Sequence, residues 1–324
     1  MSTKTKKCPL CQSLKVVKRG IQDGLQTYWC KGCNHRFRSE RKKRNFLRED
    51  IFNEFVFRKQ TVRELKDEYC LDKKTIRTII DEYIPKKKIH EPRKIYLVAD
   101  GTYFGKEKNQ EPWCKVVFRD PKRKENLWWK SGKEETESMY LEGRQYLESL
   151  GYEIVSITGD GFGGLKRAFY GIPYQMCLKH MKDIIQRGTT RNPILEAGQV
   201  LLALSKTLHK TDKITFEKRF QLYLDRYSDF INEKTLNPET GIRDFTHKDL
   251  RQAVMSLRRF LPYLFTYETD RNISKTTNTC EGHFSHIKDI LSIHRGMSRT
   301  LKEKVLEAIL LNSSIVLRKK GSEN

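Results

Sequence analysis

Apolar positions along the chain change period near residue 94, and the change separates a helical front from a strand-led body. Leu47, Ile51, Phe52 and Phe55 recur at helical spacing, as do Val62, Leu65 and Tyr69, and then Ile76, Ile79, Ile80 and Tyr83. Residues three and four apart share one helix face, so 46–84 is predicted as three short amphipathic helices. Asp72, just after the Cys70-Leu71 turn, suits the N-cap of the third helix, where its carboxylate accepts free N–H groups. From Lys94 the runs at 95–99, 113–119 and 126–129 predict an antiparallel meander. Helical spacing follows at 134–150, a buried strand at 154–158, a short helix at 163–170 and a short strand at 173–177. From about 193 to 264 the pattern is helical, notably at 200–204, 216–230 and 247–264, with 232–246 a polar loop. A last helix past Asn278 sets Phe284, Ile287 and Leu291 on one face and Glu281, Ser285 and Lys288 on another.

Cysteine spacing adds a module in front. Cys8-Pro9-Leu10-Cys11 and Cys30-Lys31-Gly32-Cys33 are two CxxC knuckles separated by 18 residues. This is zinc-ribbon spacing, in which two tight turns each offer a pair of sulfurs to one tetrahedral ion. Short strands are expected at 15–18 and 27–29, with a turn from Gly20 to Gly24. A module this small buries too little apolar surface to fold unaided, so bound zinc would supply its folding energy. His35, just past the last cysteine, is expected on the surface. No run of about twenty apolar residues and no apolar signal core are present, so the expected location is cytoplasmic, in association with the nucleoid, with no membrane partner. Eight cysteines there point to metal ligands and free thiols rather than disulfides. The expected organisation is multidomain. A zinc ribbon spans 1–40, an all-α unit 45–84 and a linker 85–93 around Pro85, Lys86-Lys87-Lys88 and Pro92. An α/β domain follows at 94–315, with an all-helical insertion at about 190–270.

Charge identifies the class of partner. The chain carries 64 Lys and Arg against 41 Asp and Glu, a formal charge of +23. Residues 1–94 hold 26 of those basic residues and 12 of the acidic ones, so +14 of the +23 sits in the front modules and the linker that follows them. Such a surface attracts a polyanion with salt-sensitive, sequence-independent affinity, and double-stranded DNA is the expected partner. Thr61-Val62-Arg63-Glu64-Leu65 through Lys73-Lys74-Thr75-Ile76-Arg77 resembles a helix-turn-helix. Its second helix would turn Lys73, Lys74, Thr75, Arg77 and Thr78 toward a major groove. An ordinary three-helix bundle is the alternative. Arg36, Arg38, Arg41, Lys42, Lys43 and Arg44 follow the ribbon and suit phosphate contact.

The chemistry rests on acids. Asp100-Gly101-Thr102 and Asp160-Gly161 each follow an apolar, β-branched run, and Asn278-Thr279-Cys280-Glu281-Gly282 opens the last helix. An isolated Asp-Gly marks a turn. Two at equivalent strand ends can converge, and a helix glutamate can join them. Three convergent carboxylates hold hard divalent cations such as magnesium, which suit displacement at phosphorus. Strands first, then alternating helix and strand, with acids after the first and fourth strands, is the pattern of a ribonuclease H-like domain. The helical block between Asp160 and Glu281, 121 positions apart, then reads as an insertion.

Val98-Ala99-Asp100-Gly101-Thr102, Ile157-Thr158-Gly159-Asp160-Gly161, Cys177-Leu178-Lys179-His180, Thr277-Asn278-Thr279-Cys280-Glu281-Gly282 and Ile293-His294-Arg295-Gly296-Met297-Ser298 stand in this order. In that order they resemble DDE transposases of the Mutator-like superfamily of insertion-sequence transposases, over about 94–315. The resemblance implies that Asp100, Asp160 and Glu281 hold two magnesium or manganese ions, and that the enzyme binds transposon ends, cleaves DNA by metal-activated hydrolysis and joins 3′ ends to target DNA, working as a homo-oligomer. It also implies supporting roles for Cys177 and His180. On chemistry alone these two are a core thiol and a partly buried imidazole, with no evident partner to complete a zinc site. Lys288, by its spacing from Glu281, is expected near the phosphate. His283, His286 and His294 are expected at the polar surface. The insertion lacks tryptophan, so it offers no base-stacking residue of the kind some hairpin-forming transposases use.

Two other functions fit parts of this pattern. A non-catalytic DNA-binding regulator derived from a transposase would keep the front modules without needing the acids. A structure-selective nuclease on the same fold would need the acids without both front modules.

Overall fold

The computed structural model describes residues 6–22, 25–38, 45–105, 111–236, 241–294 and 296–312. The chain divides into two compact units that meet between Ile84 and Pro85. In the first, β1 (Val16–Gln22), β2 (Leu25–Cys30) and β3 (Arg36–Arg38) form an antiparallel sheet in that order. Its pairing sets Tyr28 opposite Phe37, and the two rings stack at 5.6 Å. Three helices follow, α1 (Asn45–Phe57), α2 (Val62–Tyr69) and α3 (Lys73–Glu82). Ile51, Phe52, Phe55, Leu65, Ile76, Ile79 and Ile80 are buried, which is the stripe pattern expected of them. A reciprocal capping box starts α2: Thr61 Oγ1 accepts from the Glu64 N–H at 3.3 Å, and Glu64 Oε2 accepts from the Thr61 N–H at 2.7 Å. Asp72 starts α3 by accepting the N–H groups of Lys74 and Thr75 at 2.9 and 3.0 Å. Gly24, Arg41, Lys42, Lys43 and Arg44 lie outside the described residues, and so does Arg295.

The second unit is built on a five-stranded sheet. β4 (Lys94–Phe104), β5 (Trp113–Asp120) and β6 (Glu125–Gly132) form an antiparallel meander, followed by α4 (Glu137–Ser149), β7 (Glu153–Gly159), α5 (Gly163–Ala168) and β8 (Tyr174–Met176). The strand order is β6-β5-β4-β7-β8, with β7 and β8 parallel to β4. Contrary to expectation, β4 does not end before Asp100. It runs on to Phe104 because Asp100 to Phe104 pair with Val117 back to Trp113. One sheet face carries Ile95, Leu97, Ala99, Cys114, Val116 and Phe118 into the main core. Alternation turns Asp100 and its partner Val117 to the opposite face.

α6 (Leu178–Thr189), α7 (Glu196–Lys206) and α8 (Lys213–Asn232) come next, then α9 (Lys248–Phe260) and two short 3₁₀ turns. Their buried residues, among them Ile185, Leu201, Phe216, Phe220 and Leu257, join the same core as the sheet. The segment expected as an all-helical insertion is not all-helical. The segment expected as a polar loop contains an antiparallel hairpin, β9 (Lys234–Leu236) with β10 (Arg243–Phe245). These three-residue strands are largely exposed and lack an apolar face, so alternation does not reveal them; Lys234 and Arg251 lie 4.8 and 4.0 Å from the Phe245 ring. α10 (Asn278–Ile293) and α11 (Arg299–Leu311) cover the Asp100 face, where Glu307 of α11 accepts from Lys115 and from the Trp129 indole.

The later part of the segment expected as a linker is fastened to this unit. Arg93 bonds Asp120 at 2.8 Å and Glu125 at 2.7 Å, Lys88 pairs with Glu125, and the Glu91 N–H donates to Tyr152 at 3.1 Å. No described helix is long and apolar enough to cross a membrane.

Gly143 lets α4 approach the sheet, since an added Cβ would stand 2.7 Å from ring carbons of Phe118 and Trp128. Gly143→Ala should therefore destabilise the protein by about 1–3 kcal/mol in chemical denaturation, although alanine gains about 1 kcal/mol in helix propensity. A more stable variant would mean that the two rings have room to yield.

Candidate active site

The pairing of β4 with β7 sets the first two acids side by side. Val98 stands opposite Thr158 in parallel register, so Asp100 within β4 and Asp160 just past the end of β7, each two residues further on, stand at the same level. Asp100 is buried and accepts the Gly101 N–H at 3.0 Å. Burial first, then the charge of Asp160 and that of Glu281, push its carboxyl up to about 7, against the opposing pull of His180. Asp160 begins a turn in which its carboxylate accepts the Phe162 N–H at 3.0 Å. Gly161 takes φ +100° in that turn, and a Cβ there would meet Phe260 and Met176 at 3.0 and 3.1 Å.

A fourth carboxylate, unmarked by any motif, stands close enough to feel the charge of Asp160. Glu135 lies so close over the strand that a Cβ on Gly101 would stand 2.9 Å from its Oε2. Tyr140 donates to Glu135. Burial raises the Glu135 carboxyl, with Asp160 adding to the shift and the Tyr140 bond opposing it. Glu135 stands in a connection between β6 and α4, and only the tertiary fold brings it here.

The Cys-x-x-His element begins at the end of β8. Cys177 is the N-cap residue of α6 and is fully buried, with His180 half-buried one turn on. The segment leading into α10 crosses this helix start: the Leu178 N–H donates to Ser-flanked Lys275 O at 3.0 Å, and Thr158 Oγ1 donates to Ser274 O at 2.9 Å. Thr277 then touches every polar group of the cluster. Its N–H and Oγ1 lie 3.3 and 3.4 Å from Cys177 Sγ, and Oγ1 lies 3.2 Å from His180 Nδ1 and 3.2 Å from Glu281 Oε1. Glu281, in the first turn of α10, also pairs with Lys179 through Oε2. Cys177, His180 and Glu281 each bring a ligand atom within 4.8 Å of the others. Burial works against a charged imidazole at His180, but its bond to Cys177 and the nearby acids lift it to about 9. Burial would raise the Cys177 thiol, yet His180 and Thr277 bring it below its ordinary value.

Lys288 is exposed and stands with Lys302 beside the strand end 101–105, its Nζ 5.9 Å from the Phe104 ring. Two histidines depart from expectation. His294 is buried, and His283 is half-buried with Nε2 2.9 Å from Asn126 Nδ2. Burial, then Arg119, push His283 down to about 3, so it is neutral. His286 is exposed. Both departures arise because α10 is covered more widely than the Phe284–Ile287–Leu291 stripe implies. Lys179 and Thr277 lay inside motifs read for other residues, so their spacing was visible and their roles were not.

In the first unit the four sulfurs converge. Cys8 Sγ is 3.6 Å from Cys33 Sγ and Cys11 Sγ is 3.5 Å from Cys30 Sγ, with all four within 4.8 Å. Zinc–sulfur bonds of about 2.3 Å in a tetrahedron separate sulfurs by about 3.8 Å, so the cluster can hold zinc with little movement. The Gly32 N–H donates to Cys30 Sγ at 3.3 Å and orients it. On α3, Lys73, Lys74, Arg77 and Thr78 are exposed. Thr75 differs: it is half-buried, and its hydroxyl donates to the capping Asp72.

No protein-family model matches this chain, and none of the curated proteins does. Among solved structures it has a likeness to the simian T-cell lymphotropic virus intasome in complex with PP2A regulatory subunit B56 gamma, at 14% identity over 62% of this chain and 74% of that one. The TM-score is 0.21. A superposition that loose carries neither fold nor function.

Removing the ribbon ligands tests the first cluster. Cys8→Ser with Cys33→Ser should cost the full-length protein one tightly held zinc by elemental analysis and unfold the 6–38 region in hydrogen exchange. Unchanged zinc content would rule out a metal at these thiols.

Proposed function

We propose that the protein is a DNA transposase of the DDE type, related to the Mutator-like superfamily, whose second unit is a ribonuclease H-like catalytic domain. The observation that carries this reading is the β4–β7 register, which sets Asp100 beside Asp160 on the face covered by the helix bearing Glu281. A five-stranded sheet with three antiparallel strands followed by two parallel ones supports the ribonuclease H-like assignment. The net charge of +23 and the exposed basic residues of α3 support a DNA partner and a helix-turn-helix role for the three helices.

The donor set fits a hard divalent cation. All three proposed ligands offer carboxylate oxygens, and Asp100 is driven toward protonation by its burial first and then by the uncompensated charge of Asp160 and Glu281. Asp100, Asp160 and Glu281 would hold magnesium or manganese, which supplies Lewis-acid charge at the scissile phosphate. His180, cationic at neutral pH, adds positive charge beside the acids. Lys288 and Lys302 would track the phosphate backbone beyond the strand end. Glu281 must loosen its contact with Lys179 to share a cation with the two aspartates.

Asp100→Asn, Asp160→Asn and Glu281→Gln should each lower magnesium-dependent strand cleavage and transfer by at least about a thousandfold, with binding to transposon-end duplex nearly unchanged. Wild-type turnover by Asp100→Asn would end this mechanism. Asp100 holds its proton below about pH 7, and a cation must displace it. Apparent manganese affinity should therefore rise by up to about tenfold per pH unit toward 7 and then flatten. An affinity that does not vary between pH 5 and 8, followed by paramagnetic resonance of free manganese, would place the metal away from Asp100.

DNA binding gives an independent check. Lys74→Glu with Arg77→Glu should weaken preference for a transposon-end duplex over random duplex, and wild-type affinity should fall steeply with salt. Equal losses on both duplexes would show that α3 does not read bases.

A further inference from the structure

Glu281 belongs to two donor sets, and the tighter one contains no aspartate. We infer that Cys177, His180 and Glu281 form a binding site for a borderline divalent cation of the zinc class, separate from the four-cysteine cluster. Their ligand atoms already lie within 4.8 Å of one another. A tetrahedral ion with these donors holds them about 3.5 Å apart, so rotation of His180 and Glu281 by about an ångström closes the site. Thiolate with imidazole selects zinc, cobalt and similar ions over magnesium, which prefers an all-oxygen shell.

The surrounding structure orients each donor. Cys177 caps α6 and His180 follows one turn later, so both project from one helix start. Thr277 sends its backbone N–H and its hydroxyl toward Cys177 Sγ, at 3.3 and 3.4 Å, as donors do around metal-bound sulfur. The same hydroxyl stands by His180 Nδ1, while Nε2 faces Glu281 Oε1 at 3.9 Å. Lys179 engages the other oxygen, Oε2, so that Oε1, which the Thr277 hydroxyl also approaches at 3.2 Å, is the one turned to the ion. Cys177 is fully buried, whereas His180 and Glu281 are half-buried, so the fourth coordination position opens toward solvent. A cation bound here draws Glu281 toward α6. Under the transposase reading it withdraws Glu281 from Asp100 and Asp160 and slows magnesium-dependent cleavage; the binding site itself does not rest on that reading.

The test is a cobalt titration of full-length protein reconstituted with a single equivalent of zinc to fill the four-cysteine cluster, under anaerobic conditions, read by sulfur-to-cobalt charge-transfer absorption. One cobalt equivalent beyond the ribbon zinc should bind with a thiolate band. Cys177→Ser should abolish the band, and His180→Gln and Glu281→Gln should weaken cobalt binding by at least about tenfold, with unchanged circular dichroism. Asp100→Asn should keep the band even where it abolishes cleavage, which separates this site from the proposed catalytic one. Absence of the band in the wild type, or its survival in Cys177→Ser, overturns the inference.

Discussion

Parallel pairing of β4 with β7 is the constraint on which the rest of the second unit depends. A shift of one residue would turn Asp100 into the apolar core that holds Leu97 and Ala99, where an acid has no partner. In the observed register it faces α10 beside Asp160. The cost falls on its carboxyl, which burial and a neighbouring acid together push up to about 7. Concentrating negative charge in a buried place opposes folding unless a cation or a protonated partner offsets it. His180 offsets part of it here.

The second constraint is the way α10 is tied down. One residue, Thr277, links the thiol of Cys177, the imidazole of His180 and the carboxylate of Glu281. The neighbouring backbone anchors the approach to α10 on both α6 and β7, through Leu178 to Lys275 and Thr158 to Ser274. Glu281 is therefore held at a junction between two chemistries. Toward β4 and β7 it meets hard oxygen donors; toward α6 it meets sulfur and nitrogen. Under the two proposals, the ion present and the contact with Lys179 would together decide which set it joins.

Much of this was legible because the responsible signals are local. Two CxxC knuckles fix where four sulfurs can meet, and helical spacing at Ile76, Ile79 and Ile80 fixes which side of α3 is left for lysine and arginine. Asp100 and Asp160 stood out through the apolar runs before them, although β4 continues past Asp100 because its edge pairs on with β5. What escaped was non-local. Glu135 comes within the influence of Asp160 only because the chain after the meander folds back over Gly101. His294 and His283 are covered by tertiary packing that no helical stripe reports. The β9–β10 hairpin is too short and too polar for alternation to distinguish from a loop.

The most direct measurement is anomalous diffraction from crystals soaked in manganese at pH 8, above the titration of Asp100. The account predicts a manganese peak between the carboxylates of Asp100 and Asp160, which would hold the ion through their oxygens. A well-ordered site with no peak between these two aspartates would contradict it.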